Sequence, residues 1–265
     1  MIGGRALQPA VRILGVRVDD VTTAETLALF RRYIAEGAPR QVVTINPEFV
    51  MAARRDPAFR EVLAAADLAL PDGQGLLWTA RLHGHRLRER VCGSDVVPAA
   101  ATMAAEEGYR LFLLGAAPGV AERATAVLRA RNPGLQVVGT YAGSPSVDEE
   151  EAIIARVRAA RPDILFVAYG APRQDLWIRR NLGRLGVPVC MGIGGTLDFL
   201  AGVARRAPRW MRRVGIEWLH RLIMQPWRWR RMMVLPRYAW LVMIARFVPK
   251  ARVPDTGENR PCAES

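Results

Sequence analysis

Asp72 is the residue of this sequence whose setting most directly suggests chemistry. It lies in the hexapeptide LPDGQG at residues 70–75, between a short apolar run and a helical pattern. A carboxylate after a buried strand would sit at the carboxyl edge of a sheet, where open α/β folds bind ligands, and it could act there as a general base. Gly73 and Gly75 would leave room for a ligand near the backbone. The alternative is that Asp72 caps the following helix, a common role of Asp.

Two other kinds of residue could bind an anion. Arg90 precedes a Cys-Gly-Ser-Asp turn, and a guanidinium there could stabilise negative charge; it could equally be a structural ion-pair partner. Glycine-rich turns begin at Gly115 and at Gly192, and the second includes Gly194 and Gly195. Backbone amides at helix N-termini attract phosphate groups. The second turn could also be only a strand-to-helix connection.

The elements that would position these residues follow from the apolar pattern. Strands are predicted over residues 11–18, 41–45, 67–70, 111–114, 136–141, 164–169 and 187–191. Helical spacing of apolar residues is found between them, for example over residues 22–36. This alternation indicates a parallel sheet with helices on both faces, an α/β fold. Thr44 and Asn46, at the end of the second strand, would point the same way while the chain is extended.

Helix starts are predicted from residues that commonly occupy the first turn. Thr22 or Thr23 would cap the first helix, and Pro47 would open the helix after the second strand. Ser94 or Asp95 would cap a helix over residues 96–107.

Length, charge and cysteine content limit the class of protein. The 265 residues carry a formal net charge of +13, which implies an anionic partner such as a nucleotide, nucleic acid or acidic lipid. Cys92, Cys190 and Cys262 are far apart, which supports neither a disulfide framework nor a zinc site, and a reducing cytoplasm fits. Neither a signal peptide nor a transmembrane helix is predicted, since no run of about 18 apolar residues occurs.

Residues 203–252 hold nearly all of the net charge. They contain twelve Arg and one Lys against the acid Glu217, and five of the seven Trp. Arg and Trp on amphipathic helices are typical of a segment on an anionic membrane surface; a basic lid with inward Trp, or a nucleic-acid patch, are the alternatives. We predict an α/β core over residues 1–202, a basic, Trp- and Arg-rich helical appendage over residues 203–252, and a disordered tail over residues 253–265.

Six motifs then line up in order along the chain. They are TINPE at residues 44–48, LPDG at 70–73, ERVCGSD at 89–95, GAPRQD at 170–175, GIGGTLDF at 192–199 and GIEWLHRL at 215–222. Together they resemble the WecG/TagA/CpsF family of bacterial glycosyltransferases (glycosyltransferase family 26), over about residues 11–246. The resemblance implies a Rossmann-like α/β core with a C-terminal appendage that helps to close the site and contacts the membrane.

The resemblance also implies an activity. It is an inverting, metal-independent transfer of a hexose, N-acetylmannosamine or a related sugar, from a UDP-sugar to a polyprenyl-diphosphate-linked saccharide. The product would feed a cell-surface polysaccharide such as teichoic acid, capsule or exopolysaccharide. The enzyme would be cytoplasmic and peripheral on the inner face of the plasma membrane. No metal ligand and no cofactor are expected, and the sequence has no Asp-x-Asp pair of the kind that holds a metal in many other nucleotide-sugar transferases.

Site residues carry over from the family position by position. Asp72 matches the catalytic base; Thr44, Asn46, Arg90 and Gln174 match residues that line the pocket; Arg221 and Arg228 match appendage arginines that reach the diphosphate. Arg173 stands where Lys is frequent in the family, which keeps the charge.

Two other functions stay open at this point. One is a non-catalytic nucleotide-binding module that recruits polysaccharide enzymes to the membrane. The other is nucleic-acid binding, which rests on net charge alone; no nucleic-acid motif supports it, so we expect no nucleic-acid partner. The apolar, Arg-rich appendage could also serve a subunit interface, so a homo-oligomer remains open beside the anionic membrane surface as its partner.

Overall fold

A six-stranded parallel sheet forms the centre of the protein. The computed structural model describes residues 8–208, 210–211, 214–224, 226 and 229–247. Its strands are β1 (Gln8–Ile13), β2 (Val16–Asp20), β3 (Arg40–Ile45), β4 (Leu68–Pro71), β5 (Arg110–Gly115), β6 (Gln136–Tyr141), β7 (Ile164–Ala168) and β8 (Val189–Gly192). Its helices are α1 (Thr23–Glu36), α2 (Pro47–Ala53), α3 (Pro57–Ala65), α4 (Gln74–Leu82), α5 (Gly93–Glu107), α6 (Val120–Arg131), α7 (Glu150–Ala160), α8 (Arg173–Leu185), α9 (Thr196–Leu200), α10 (Glu217–Met224), α11 (Trp229–Met232) and α12 (Val234–Phe247).

Strand order across the sheet is β4-β3-β8-β7-β5-β6, and every neighbouring pair is parallel. Successive strand residues face opposite sides, as the pleat requires. Val42 and Leu113 pack in the layer that contains α1, α5 and α6. Val43 packs with α2, α3 and α4, and Phe112 packs with α7 and α8. Helices therefore cover both faces, which confirms the predicted α/β class.

An antiparallel hairpin precedes the sheet, so the single strand predicted over residues 11–18 is wrong. β1 and β2 pair with each other through a turn at Leu14 and Gly15, whose φ angles are 47° and 88°. Glycine adopts positive φ without a steric penalty, and the apolar pattern runs through the turn, which hides it in the sequence. The carboxylate of Asp19 accepts a hydrogen bond from Ala69 N at 2.8 Å. This contact fastens the hairpin to β4, the strand before Asp72.

Two helix starts follow the predicted chemistry. Thr22 caps α1 in a reciprocal capping box with Glu25, so Thr22 rather than Thr23 is the cap. Asn46 caps α2, where its side-chain oxygen accepts a hydrogen bond from Phe49 N at 3.0 Å. Pro47 is the first residue of α2, as predicted. The cap fixes the direction in which the chain leaves β3.

The start of α5 differs from the prediction. This helix begins three residues earlier, Cys92 is its N-cap residue, and no side chain caps it. The predicted caps are wrong, since Ser94 and Asp95 both lie inside the helix. The Asp95 carboxylate accepts hydrogen bonds from Arg206 at 2.6 Å and from the Cys92 thiol at 2.7 Å.

The appendage packs on the core through its last helix. Tyr238 and Val242 on α12 are buried in the cluster that contains α2 and α4, and the Tyr238 hydroxyl lies 2.7 Å from the Thr79 hydroxyl. The boundary at residue 202 stays a prediction, and the tail predicted over residues 253–265 lies outside the described residues. Within the described ranges, no helix has both the length and the apolar character needed to cross a membrane.

Candidate active site

A cleft opens at the carboxyl edge of the sheet, between the ends of β3 and β4 on one side and of β7 and β8 on the other. After β3 the chain forms β4 on one flank of β3, and it then crosses to form all later strands of the sheet on the other flank. The order of the strands therefore reverses beside β3. Such a switch point is where open α/β sheets bind ligands. The cleft has a volume of about 890 Å³, within the usual range for small-molecule sites. Predicted residues that line it are Thr44, Asn46, Asp72, Arg90, Gln174, Gly194 and Gly195.

Asp72 follows β4 directly and is partly buried. Its backbone N–H donates to the carbonyl of Ile45 at 2.7 Å, which fixes it beside the end of β3. The N-cap of α4 is Gly73, at φ 113°, and no side chain caps this helix. The helix-cap interpretation of Asp72 is therefore wrong, and the residue lines the cleft. The space expected at Gly75 is taken by α2, since an added Cβ would lie 3.0 Å from Pro47 Cγ.

Arg90 lies beside Asp72 because the two loops are joined. The N–H of Val91 donates to the carbonyl of Pro71, the last residue of β4, at 2.9 Å. The Arg90 side chain is 17% exposed, and its Nη1 lies 3.3 Å from a carboxylate oxygen of Glu217 on α10. Arg90 thus forms an ion pair between core and appendage and also lines the cleft, while its role in binding an anion stays a prediction.

Thr44 and Asn46 reach the cleft from the end of β3, on the same side of the chain as predicted. Thr44 is buried, at 6% exposure. The side-chain oxygen of Asn46 is used in capping α2. Its NH₂ group can donate hydrogen bonds to a ligand, and the oxygen retains one further lone pair.

Gln174 joins the two loops on the opposite wall. Its Oε1 accepts hydrogen bonds from Gly170 N at 3.1 Å and from Gly194 N at 3.0 Å, and the residue is 1% exposed. The amide of Gly194, predicted to bind an anion, is therefore already engaged; Gly195, at the cap of the five-residue α9, lines the cleft. Gly192 is absent from the lining of the cleft, among the residues described. Its role is steric, since a Cβ there would lie 2.5 Å from Gln174 Nε2.

Three predicted positions are not among the described residues that line the cleft. The turn at Gly115 packs against β7, where an added Cβ would lie 2.8 Å from the carbonyl carbon of Ala168, and it is not among the described lining residues. Arg221 belongs to α10, whose Trp218 lines the cleft. Arg228 lies outside the described residues.

Comparison with known proteins identifies the relatives of this chain. The sequence profile described as the glycosyl transferase WecG/TagA/CpsF family matches residues 11–252. This protein belongs to the WecG/TagA/CpsF family. The six motifs that suggested the resemblance thus lie within one match that covers most of the chain.

Curated members of the WecG/TagA/CpsF family resemble the chain over most of their length. A Bacillus subtilis (strain 168) protein is 34% identical over 215 residues, which are 81% of this chain and 83% of the relative. A Staphylococcus aureus (strain MW2) protein is 30% identical over 246 residues, 91% of this chain and 96% of the relative. Both relatives are named N-acetylglucosaminyldiphosphoundecaprenol N-acetyl-beta-D-mannosaminyltransferase.

The sequence of this WecG/TagA/CpsF family protein assigned no role to two appendage residues at the cleft, although both belong to the GIEWLHRL motif. Glu217 faces Arg90, and Gly215 lies over the start of α4, where an added Cβ would lie 2.6 Å from Gln74 Cγ. The available signal was weak: Glu217 is the single acid in a strongly basic segment. Together they bring the appendage against the loop that carries Asp72.

Cys92 is a neutral thiol at the edge of the cleft. Burial raises its pKa to about 12, and the nearby carboxylates of Asp72 and Asp95 act in the same direction. It therefore has little thiolate character, and we assign it no nucleophilic role. Across the described ranges, no group of three or more His, Cys, Asp and Glu side chains is arranged to hold a metal ion.

Asp175 is a fully buried carboxyl group behind the Gln174 wall. It is 0% exposed, and neither side-chain oxygen meets a hydrogen-bond donor among the described residues. An added Cβ at Gly192 would lie 2.7 Å from its Oδ1. Burial raises the pKa of Asp175 to about 7, because the charged form loses its hydration.

The pH dependence of stability should report this carboxyl group. The folded protein holds the Asp175 proton more tightly than the unfolded chain, whose Asp pKa is about 4. Its contribution to the free energy of unfolding therefore declines as pH rises from about 4 to 7, by up to about 1.4 kcal/mol per pH unit. We expect Asp175→Asn, which cannot ionise, to gain stability relative to wild type across this range. Urea unfolding of both proteins at several pH values tests this, and a difference independent of pH would contradict it.

Proposed function

We propose that this protein is an inverting, metal-independent glycosyltransferase. It moves a hexose of the N-acetylmannosamine type from a UDP-sugar to a polyprenyl-diphosphate-linked saccharide, in the synthesis of a cell-surface polysaccharide. The observation that carries the proposal is that Asp72 and Arg90 line one cleft at the switch point of the sheet, on loops joined by the Val91–Pro71 hydrogen bond. The names of the relatives supply the substrate class, since they specify a mannosaminyl donor group and an acceptor linked to diphosphoundecaprenol.

The reaction assigned to this site is a single displacement at the anomeric carbon. The acceptor hydroxyl oxygen forms a bond to that carbon while the bond to the UDP oxygen breaks, which inverts the configuration. Asp72 accepts the proton that the hydroxyl loses, as a carboxylate within hydrogen-bond reach can do. UDP leaves with the electron pair of the broken bond.

Negative charge builds on the leaving diphosphate, and this chain offers cations to meet it. Arg90 lies at the Asp72 end of the cleft with a largely buried guanidinium. Charge-assisted hydrogen bonds from a guanidinium are strong where water is excluded. Arg221 and Arg228 are proposed to add further positive charge from the appendage.

The remaining predicted residues are proposed to orient the donor. Thr44 and the NH₂ group of Asn46 present hydrogen-bonding groups on one wall. Gln174 fixes the opposite wall by joining Gly170 and Gly194. Preorganised walls of this kind raise the rate by holding the reacting groups in position.

The appendage is proposed to hold the enzyme on the inner face of the plasma membrane. Trp210 and Trp240 are 60% and 66% exposed, and they share the segment with twelve Arg and one Lys. Trp residues favour the headgroup level and arginines favour anionic lipid. Binding to vesicles with and without anionic lipid tests this assignment.

Release of UDP by purified protein tests the proposed function. The assay supplies a panel of UDP-sugars with a short-tailed N-acetylglucosaminyl-diphosphate acceptor, in the presence of EDTA. Acceptor-dependent release that survives EDTA would support the transferase and name the donor sugar. Tight UDP binding with no turnover would contradict it and favour the recruiting module.

A further inference from the structure

The cleft changes character away from Asp72 and Arg90. Beyond the polar residues its wall is formed by α4 of the core and by α10 and α12 of the appendage. The side chains that make this surface include Trp78, Leu82, Leu222, Met233, Val242 and Met243. We call these six residues and the space between them the apolar groove.

The floor of the apolar groove suits a ligand that offers no hydrogen bonds. Its polar groups satisfy each other: the Thr79 hydroxyl donates to the carbonyl of Gly75 at 2.8 Å, and the Tyr238 hydroxyl lies 2.7 Å from the Thr79 hydroxyl. Both residues are buried and line the cleft. An apolar ligand here would leave neither of these two buried hydroxyls without a partner, which avoids a large free-energy cost.

The groove stands apart from the rest of the appendage in its charge. Among described side chains of the appendage that line the cleft, Glu217 is charged and lies at the Arg90 end, whereas the others are apolar or aromatic. The surrounding segment is strongly basic. An apolar path within a cationic segment matches an amphiphile whose anionic head and apolar tail bind at successive positions.

We propose that the apolar groove binds the first isoprene units of the acceptor lipid. The assignment rests on the proposed function, because that function places the acceptor sugar at Asp72 and requires a polyprenyl tail joined to that sugar through a diphosphate. The groove is continuous with that position, since one cleft contains both. The methionines Met233 and Met243 give it adaptable walls. The acceptor is thus held by its tail as well as by its headgroup.

The groove is a different surface from the one that would lie on a membrane. Met224, Ile223, Trp240 and Ile244 of the appendage are 40–66% exposed and do not line the cleft among the described residues. These four residues are available for contact with lipid, whereas the residues of the apolar groove face into the cleft. Substitutions can therefore separate binding of the tail from binding to the bilayer.

Binding of soluble isoprenoid diphosphates tests the proposal without vesicles and without turnover. Farnesyl diphosphate and dimethylallyl diphosphate share a headgroup and differ by two isoprene units. We expect farnesyl diphosphate to bind about 100-fold more tightly, roughly ten-fold per unit, which is less than full burial of five carbons would yield. Titration calorimetry measures both affinities on the full-length protein.

Matched variants assign the preference to the groove. Met233→Lys places a charge in the groove, and Met224→Lys places the same charge on an exposed methionine outside it; the two residues are 60% and 52% exposed. Met243→Lys and Ile244→Lys form a second pair on α12, at 49% and 40% exposure. The preference is the ratio of the two affinities, farnesyl over dimethylallyl diphosphate. We expect this ratio to fall at least ten-fold in the groove variants and to stay unchanged in the control variants.

Equal affinity for the two diphosphates would overturn the proposal. A preference that all four variants lose, or that all four keep, would overturn it as well. The proposed function has a separate outcome. If sugar is transferred to acceptors with tails of different length and their KM values are equal, the transferase proposal is supported and the groove proposal is contradicted. If farnesyl diphosphate binds more tightly than dimethylallyl diphosphate but no sugar is transferred, the groove proposal is supported and the transferase proposal is contradicted.

Discussion

Replacing Asp72 by asparagine is expected to lower kcat for sugar transfer by about 10³-fold, within the roughly 10²- to 10⁴-fold that a positioned general base contributes. The side-chain amide cannot accept the proton of the acceptor hydroxyl, while it keeps the size of the carboxylate. Donor binding should change little, because the base acts on the acceptor. UDP release at saturating donor measures the rate, and calorimetric titration with UDP measures binding.

Asp67→Asn is the matched control for this substitution. Asp67 precedes the same strand at its opposite end, where its carboxylate lies 3.0 Å from Arg40 and accepts a hydrogen bond from Gln41 N at 2.8 Å. This variant should lower stability while leaving kcat unchanged. Because Gly73 follows position 72, the introduced asparagine can deamidate back to aspartate, so Asp72→Ala should be measured beside it. Full activity of Asp72→Ala would exclude the catalytic role.

The position of Asp72 could be predicted because it depends on local signals. The apolar runs of β3 and β4 are short and end in polar residues, and a parallel sheet brings their carboxyl ends to one edge. This reasoning places Asp72 at the carboxyl edge of the sheet, and Asn46 at the end of the second strand, from the sequence alone. The same reasoning failed at the β1–β2 turn, where the apolar pattern continues through Leu14 and only backbone geometry reveals the reversal.

The partners of the site residues depend on contacts between distant parts of the chain. Gln174 joins Gly170 to Gly194, 20 residues farther on, and Arg90 meets Glu217 across 127 residues. No periodicity or local propensity encodes such pairs, since each arises from the docking of one element on another. The family resemblance predicted that Gln174 lines the pocket, which it does, whereas its role as a brace between two loops is visible only in the structure.

Arg90→Gln is expected to lower kcat for transfer by about 10²- to 10³-fold, comparable to removal of one preorganised donor from an oxyanion site. A neutral amide cannot balance the charge that develops on the leaving diphosphate. Arg88→Gln is the control, because Arg88 pairs with Asp20 at 3.0 Å and Glu25 at 2.7 Å on the core. We expect this control to change the free energy of unfolding and leave kcat intact.

The ion pair with Glu217 offers a second explanation for any loss of activity, and a double-mutant cycle separates the two. In Arg90→Gln, Glu217 loses a cation 3.3 Å away while remaining only 17% exposed, which could displace the appendage from the cleft. If that displacement is the cause, adding Glu217→Gln removes the buried charge and should restore most of the rate. If the missing guanidinium is the cause, the double variant should stay as slow as Arg90→Gln. We expect the second result, because the displacement at the anomeric carbon requires a cation at the diphosphate whatever holds the appendage in place.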